Sequence, residues 1–180
     1  MNEKRFDEDI ARLRNPERLA RLDLEWVVSL CLESANIKSL LDVGTGTGVF
    51  AQEFSKRGVT IFGVDVNHEM LPAARTYVPF GKFLVAAAEK LPYADASFDL
   101  VFMGLLLHES DEQVQVLREA HRVARIRVGI LEWAYREEDF GAPLVQRLAP
   151  KILIKMAREA GFNKIEEIAL TKLVFYRLTS

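Results

Sequence analysis

The ten residues from Leu40 to Val49 constrain this chain more than any other stretch. Leu40-Leu41-Asp42-Val43 is a short apolar run with β-branched character. It meets glycine at three alternate positions, Gly44, Gly46 and Gly48, and helix formers follow at Ala51, Gln52, Glu53 and Phe54. That order reads as a strand, a tight turn and the start of a helix. Glycine admits φ > 0 and leaves no Cβ in the way of a ligand approaching the backbone. A helix start adds unpaired N–H groups and the positive end of a dipole. Such a turn suits a ligand with an anionic end and a bulky body.

The alternation continues down the chain. Apolar runs at 39–43, 59–64, 82–86, 98–103 and 127–132 read as strands, and 164–170 and 172–178 as two more. Between them lie helical stretches at 47–57, stopped by Gly58, from Asn67 to Val78, at 111–124, and from Pro150 to Gly161. Near-continuous apolar strands of four to six residues suit a sheet covered on both faces. The expected fold is α/β: a doubly wound, mostly parallel seven-stranded sheet, Rossmann-like, with helices on both faces. The last connection is too short for a parallel crossover, so the last strand pairs antiparallel.

A chain of 180 residues fits one domain with a single core. Residues 1–36 are expected to form an N-terminal helical segment and 37–180 a cofactor-binding core. Asn15-Pro16-Glu17 reads as a helix start and Asp23 as a second cap. Arg12, Arg14, Arg18 and Arg21 read as a solvated helix face. The formal charge of -2 gives no electrostatic case for nucleic acid or an anionic membrane. The single cysteine, Cys31, excludes an intrachain disulfide and a thiolate metal cluster, and no metal site is expected. The charged first nine residues do not resemble a signal peptide. The longest apolar run, 100–107, is far short of a membrane span. A cytoplasmic protein is the expectation.

Asp65 follows the second strand, where a carboxylate can accept both ribose hydroxyls of a nucleoside lying across the strand ends. Two cofactor classes use a glycine turn with such an acid, the nicotinamide and flavin dinucleotides and S-adenosylmethionine. The dinucleotide pattern G-x-G-x-x-G fails at Val49, because the third glycine comes one residue early. Asp42 would also repel a pyrophosphate and favour a cationic ligand.

Several further segments fall into a known order. They are Leu41-Asp42-Val43-Gly44-Thr45-Gly46-Thr47-Gly48, Gly63-Val64-Asp65-Val66-Asn67 with Met70-Leu71, the run Ala88 to Val101, and Leu107-His108. Leu117-Arg118-Glu119-Ala120-His121-Arg122-Val123 and Glu159-Ala160-Gly161-Phe162 complete the set. Over residues 38–178 the chain resembles the class I S-adenosylmethionine-dependent methyltransferases, in particular the small-molecule type 11 group that includes quinone C-methyltransferases. The resemblance implies methyl transfer from S-adenosylmethionine to a small organic acceptor. It implies that Asp42 and the backbone of Gly44, Thr45 and Gly46 meet the methionine end. Asp65 would hold the ribose, Val66 the adenine face, and Ala88 with Glu89 the adenine edge. The Met103 carbonyl and Leu105 would complete the pocket.

Two positions depart from the family pattern. Many relatives carry an acid where this chain has Ala87. The usual Leu-Lys-Pro-Gly-Gly turn before the fifth strand is replaced by Ala124-Arg125-Ile126-Arg127, which implies a tighter connection. There is no Asn-Pro-Pro-Tyr motif after the fourth strand, which argues against amino-methylation of adenine or of a glutamine amide.

A hydroxyl or carbon acid needs a general base before it accepts a methyl group. His108 is the candidate by type and place, with Glu109 behind it. His68 and His121 read as surface residues. Glu132, Trp133 and Tyr135 are expected on the rim beside the acceptor, and Phe6 and Trp26 as a lid. The alternative function is a regulatory module that binds S-adenosylmethionine without turnover. A nicotinamide-dependent oxidoreductase is the third reading.

Overall fold

The computed structural model describes residues 10–180. Seven strands form one sheet: β1 (Ser39–Val43), β2 (Thr60–Asp65), β3 (Lys82–Val85), β4 (Phe98–Gly104), β5 (Ala124–Trp133), β6 (Lys164–Ala169) and β7 (Leu173–Thr179). Their spatial order is β3-β2-β1-β4-β5-β7-β6. The first five run parallel, and β7 lies antiparallel to both β5 and β6. The doubly wound expectation is met, and six of the seven strands start within one residue of the expected position.

The helices are α1 (Ile10–Leu13), α2 (Pro16–Leu19), α3 (Leu24–Leu32), α4 (Val49–Lys56), α5 (Leu71–Tyr77), α6 (Gln113–Val123) and α7 (Pro150–Glu159). Strand residues alternate between two apolar layers, as a period of two requires. Leu40, Leu100, Phe102, Leu131 and Phe175 face α3, α4 and α5, together with Val27, Phe54 and Ala74. Leu41, Val43, Val101, Met103 and Ile130 face α6 and α7, together with Leu117 and Leu153. Cys31 is fully buried in the first layer.

Local chemistry explains the boundaries. Asn15 Oδ1 accepts the Glu17 amide at 2.8 Å, capping α2. Gly58 takes φ 78° after α4 and Gly161 takes φ 108° after α7, as helix-ending glycines do. Asp23 precedes α3 but caps nothing with its side chain; it sits at φ 47°. The N-terminal part therefore breaks into three short helices. Asn67 Oδ1 accepts the Glu69 amide at 3.0 Å, making a turn that delays α5 until Leu71. With no glycines at its end, α6 passes straight into β5 at Ala124. β5 consequently starts three residues early, and its register against β4 shifts between Phe98 and Leu100.

Asp99 fastens the strand bottoms together. Its Oδ2 accepts the amides of Lys38 and Ser39 at 2.9 and 3.0 Å, and its Oδ1 accepts from Arg125 at 2.9 Å. Burial alone would raise this carboxyl; those donors hold it below its usual range. The sequence order turns back between β1 and β4. At such a switch point the loops leaving the two strands diverge and open a crevice beyond their carboxyl ends.

Candidate active site

The glycine turn forms one wall of that crevice. Gly44, Gly46 and Gly48 have φ of 70°, 52° and 74°, a region that costs other residues strain. The Gly44 and Thr45 amides both donate to the Val64 carbonyl, at 2.8 and 3.0 Å. A Cβ on Gly44 would lie 2.8 Å from Leu106 Cδ1, whereas one on Gly46 would meet only Leu13, at 3.8 Å.

Asp65 ends β2 beside this turn. Its Oδ2 accepts the Gly46 amide at 2.7 Å and its Oδ1 the Asn67 amide at 2.8 Å. Each oxygen keeps a lone pair for a further donor. Burial raises the Asp65 carboxyl above its usual range, against the pull of the Asn67, Gly46 and Val66 amides.

Asp42 lies behind the turn. It is 3% exposed, and its Oδ2 accepts the Thr45 hydroxyl at 2.8 Å. Burial pushes its carboxyl up to about 7, opposed by the bond from Thr45 and by the Ala51 amide, while the charge of Asp65 adds to the rise.

Above the strand ends lies a cavity of about 870 Å³. Gly44, Gly46, Asp65, Val66, Ala88, Glu89, Leu105 and His108 all line it. Asp42, Thr45 and Met103 do not; they are buried one layer behind, and Gly104 lines the cavity in place of Met103. Glu89 accepts the Ser110 hydroxyl at 2.9 Å. Leu105 is held at φ 59° and donates its amide to the Leu131 carbonyl at 2.8 Å. A branched residue in that conformation is strained, and such strain gathers at working sites.

His108 sits in a 3₁₀ turn, Leu107–Glu109, just past β4. Its Nδ1 is 2.6 Å from Glu132 Oε2, and its amide donates to Glu132 Oε1 at 3.2 Å. Burial lowers the imidazole pKa; the hydrogen bond and charge of Glu132 outweigh this, so the net shift is upward. Glu132 does not line the cavity, contrary to expectation. Its neighbour Trp133 does, because successive strand residues face opposite sides of the sheet. Tyr135 is half exposed and away from the cavity, and so is Trp26, which forms no lid. Phe6 lies outside the described residues. His68 is exposed on the cavity rim, while His121 packs edge-on to Phe162 at 4.8 Å.

The N-terminal arginines are more than a solvated face. Arg14 stacks 3.2 Å over the Tyr77 ring and donates to the Thr47 carbonyl at 2.6 Å and to Gln52 at 2.9 Å. It thereby fixes the segment to the glycine turn, with Arg12, Arg18 and Arg21 along the cavity. No sequence periodicity signals that contact. Opposite, Arg147 is buried and donates to the carbonyls of Ala134, Arg136, Phe140 and Ala142. It gathers the loop over Trp133, where Gly141 leaves no room for a Cβ, the nearest ring atom lying at 2.6 Å. Among the described residues no cluster of His, Cys, Asp and Glu is arranged for a metal ion. None of their helices is long and apolar enough to cross a membrane.

Residues 41–128 match the methyltransferase domain family. A demethylmenaquinone methyltransferase of Chlorobaculum tepidum is 38% identical over 95 residues, 52% of this chain and 39% of that protein. A malonyl-[acyl-carrier protein] O-methyltransferase of Hamiltonella defensa is 34% identical over 111 residues, 61% of this chain and 43% of that protein. The chain thus spans less than half the length of these relatives. A solved S-adenosylmethionine-dependent methyltransferase of Aquifex aeolicus superposes with a TM-score of 0.82 at 26% identity, over 94% of this chain and 95% of that one. With the strand order, the glycine turn and the acid after β2, these likenesses agree: residues 41–128 match a methyltransferase domain, and the chain has the fold of a solved S-adenosylmethionine-dependent methyltransferase.

Proposed function

We propose that this protein transfers the methyl group of S-adenosylmethionine to a small organic acceptor in the same cavity. The observation that carries the reading is that the glycine turn, Asp65 and His108 open onto one cavity of about 870 Å³. That volume lies within the range of small-molecule sites.

The residues present fit the cofactor. A Cβ at Gly46 would enter the open space under Leu13, and Asp65 keeps an acceptor site on each oxygen. Asp65 would take the ribose hydroxyls, Val66 one adenine face, and Ala88 with Glu89 the adenine edge. Ala87 offers that edge no side-chain acceptor. The backbone from Gly44 to Gly46, with Gly104 and Leu105, would receive the amino-acid end. Asp42 would act through the turn, holding Thr45 and the start of α4, and would bias the field toward a cation.

When bound, S-adenosylmethionine supplies an electrophilic methyl group on a sulfonium. The protein's part is to align the acceptor, exclude water and, where needed, remove a proton. Alignment alone supplies about 7–11 kcal/mol in favourable cases. Trp133 and Phe140 line the cavity with apolar surface. His108 is the proton acceptor. The acceptor is a small molecule rather than a nucleic acid, given the charge of -2, and we place the protein in the cytoplasm. Residues 37–180 serve as one cofactor-binding unit, with 10–36 as a helical segment over it.

The test is release of S-adenosylhomocysteine from S-adenosylmethionine in the presence of phenols, hydroquinones, thiols, amines and carboxylic acids. Acceptor-dependent release is expected. Tight binding with no release from any class would favour a regulatory module instead.

A further inference from the structure

Resting on that reading, we infer that Glu132 is the positioning residue for His108, and that the acceptor is a hydroxyl or carbon acid. The geometry carries this. Both partners are buried, with side chains 3% and 2% exposed. Both Glu132 oxygens are committed to one residue, one to the ring Nδ1 at 2.6 Å and one to the backbone amide at 3.2 Å. Two bonds to one carboxylate fix the ring plane and require the proton on Nδ1. The lone pair is then on Nε2, at the ring edge away from Glu132. Glu109 Oε1 is 3.8 Å from Nε2, beyond hydrogen-bonding distance. Three charged groups act on this ring: Glu132 from β5, Glu109 from its own turn, and Arg147 from the loop over Trp133.

An amine attacks with its own lone pair and needs no base beforehand. A buried carboxylate behind an imidazole serves an acceptor that must lose a proton. Its O–H or C–H bond breaks, and the proton goes to His108 Nε2. The freed electron pair forms the bond to the methyl carbon, and the carbon–sulfur pair stays on sulfur. The positive charge leaves the sulfonium and reappears on the imidazolium, beside Glu132. The net charge of the cavity is unchanged, and the new cation has its counter-ion already in place. Trp133 and Phe140 line the cavity, their rings edge-on at 5.7 Å, with Gly141 packed against Trp133.

Two readouts test this, beside calorimetric binding of S-adenosylhomocysteine on the same samples. The first is the ¹⁵N titration of His108, assigned against H108Q; the chain has three histidines. Neutral His108 should carry its proton on Nδ1, and E132Q should lower its pKa, since Glu132 is what raises it. The second is methyl transfer to 2-naphthol and to 2-naphthylamine. Wild-type protein should methylate 2-naphthol. H108Q should lose about 100-fold or more on it, and E132Q about 10- to 100-fold with its acid limb moved to lower pH. Rates on the amine should hardly change. A His108 titration unmoved in E132Q, equal losses on both probes, or wild-type protein inert to 2-naphthol would each overturn the inference. Failure to bind S-adenosylhomocysteine would sink the underlying reading separately.

Discussion

Gly46 and Asp65, at the ends of neighbouring parallel strands, are joined by a 2.7 Å hydrogen bond from the glycine amide to the carboxylate. The bond ties the turn of β1 to the acid of β2 and sets both on one side of the cavity. Asp65→Ala removes two charge-assisted backbone bonds and the proposed ribose acceptor. Affinity for S-adenosylhomocysteine should fall about 10- to 100-fold, the equivalent of ~1.4–2.8 kcal/mol. Isothermal titration measures it, and an unchanged affinity would contradict the placement of the ribose.

Gly44 is constrained twice, by φ 70° and by Leu106 at 2.8 Å from a would-be Cβ. Gly44→Ala should cost about 1–3 kcal/mol of stability and abolish measurable cofactor binding. Adding Leu106→Ala relieves the collision but not the backbone strain, so denaturation midpoints should recover only in part. Full recovery would show that the torsion angle costs little.

Arg14 is the latch between the N-terminal helices and the glycine turn. Arg14→Ala deletes the stack on Tyr77 and the donors to Thr47 and Gln52. Limited proteolysis should then cut within residues 10–22 several-fold faster, with the core of the sheet intact. Equal cutting rates would mean that other contacts hold the segment.

Asp42 titrates at about 7 when folded, against 3.8 as an ordinary carboxyl. The folded state therefore holds this proton more tightly than the unfolded chain does. Between about pH 4 and 7 the native state binds more protons, and the group's contribution to stability falls as pH rises. Asp99 and Glu119 have lowered pKa values and act in the opposite sense at acid pH. The clean observable is thus a difference between proteins. Asp42→Asn should be more stable than wild type at pH 8, by up to a few kcal/mol at about 1.4 per unit, and the gap should close toward pH 4. A pH-independent difference in urea midpoints would contradict the assignment.

Most of the sheet was legible in the sequence because its signals are local. β1 was placed to the residue by an apolar run stopped by glycine, and the antiparallel end followed from a connection too short for a crossover. The misplaced boundaries have physical causes. Asp23 looked like a cap but adopts a left-handed backbone, and α6 runs into β5 because the usual glycines are missing. At the site, Asp65, Val66, Ala88, Glu89, Leu105 and His108 line one cavity. Asp42, Thr45 and Met103 lie buried behind the cavity wall. Motif matching reports that a residue sits in the turn and says nothing of which side its chain takes. The Glu132–His108 pair was missed although strand parity carried a signal. With Trp133 on one face, Glu132 had to lie on the other, under the turn that holds His108. The Arg14 latch had no signal at all, since it joins residues brought close only by the fold.

The account stands or falls on what lies across the ends of β1 and β2. A crystal structure with S-adenosylhomocysteine tests that most directly. The ribose hydroxyls should lie within hydrogen-bonding distance of Asp65, the amino-acid end against Gly44 and Gly46, and the sulfur toward the His108 side of the cavity. A nucleoside bound elsewhere, or a cavity that excludes it while the fold is intact, would contradict the proposal.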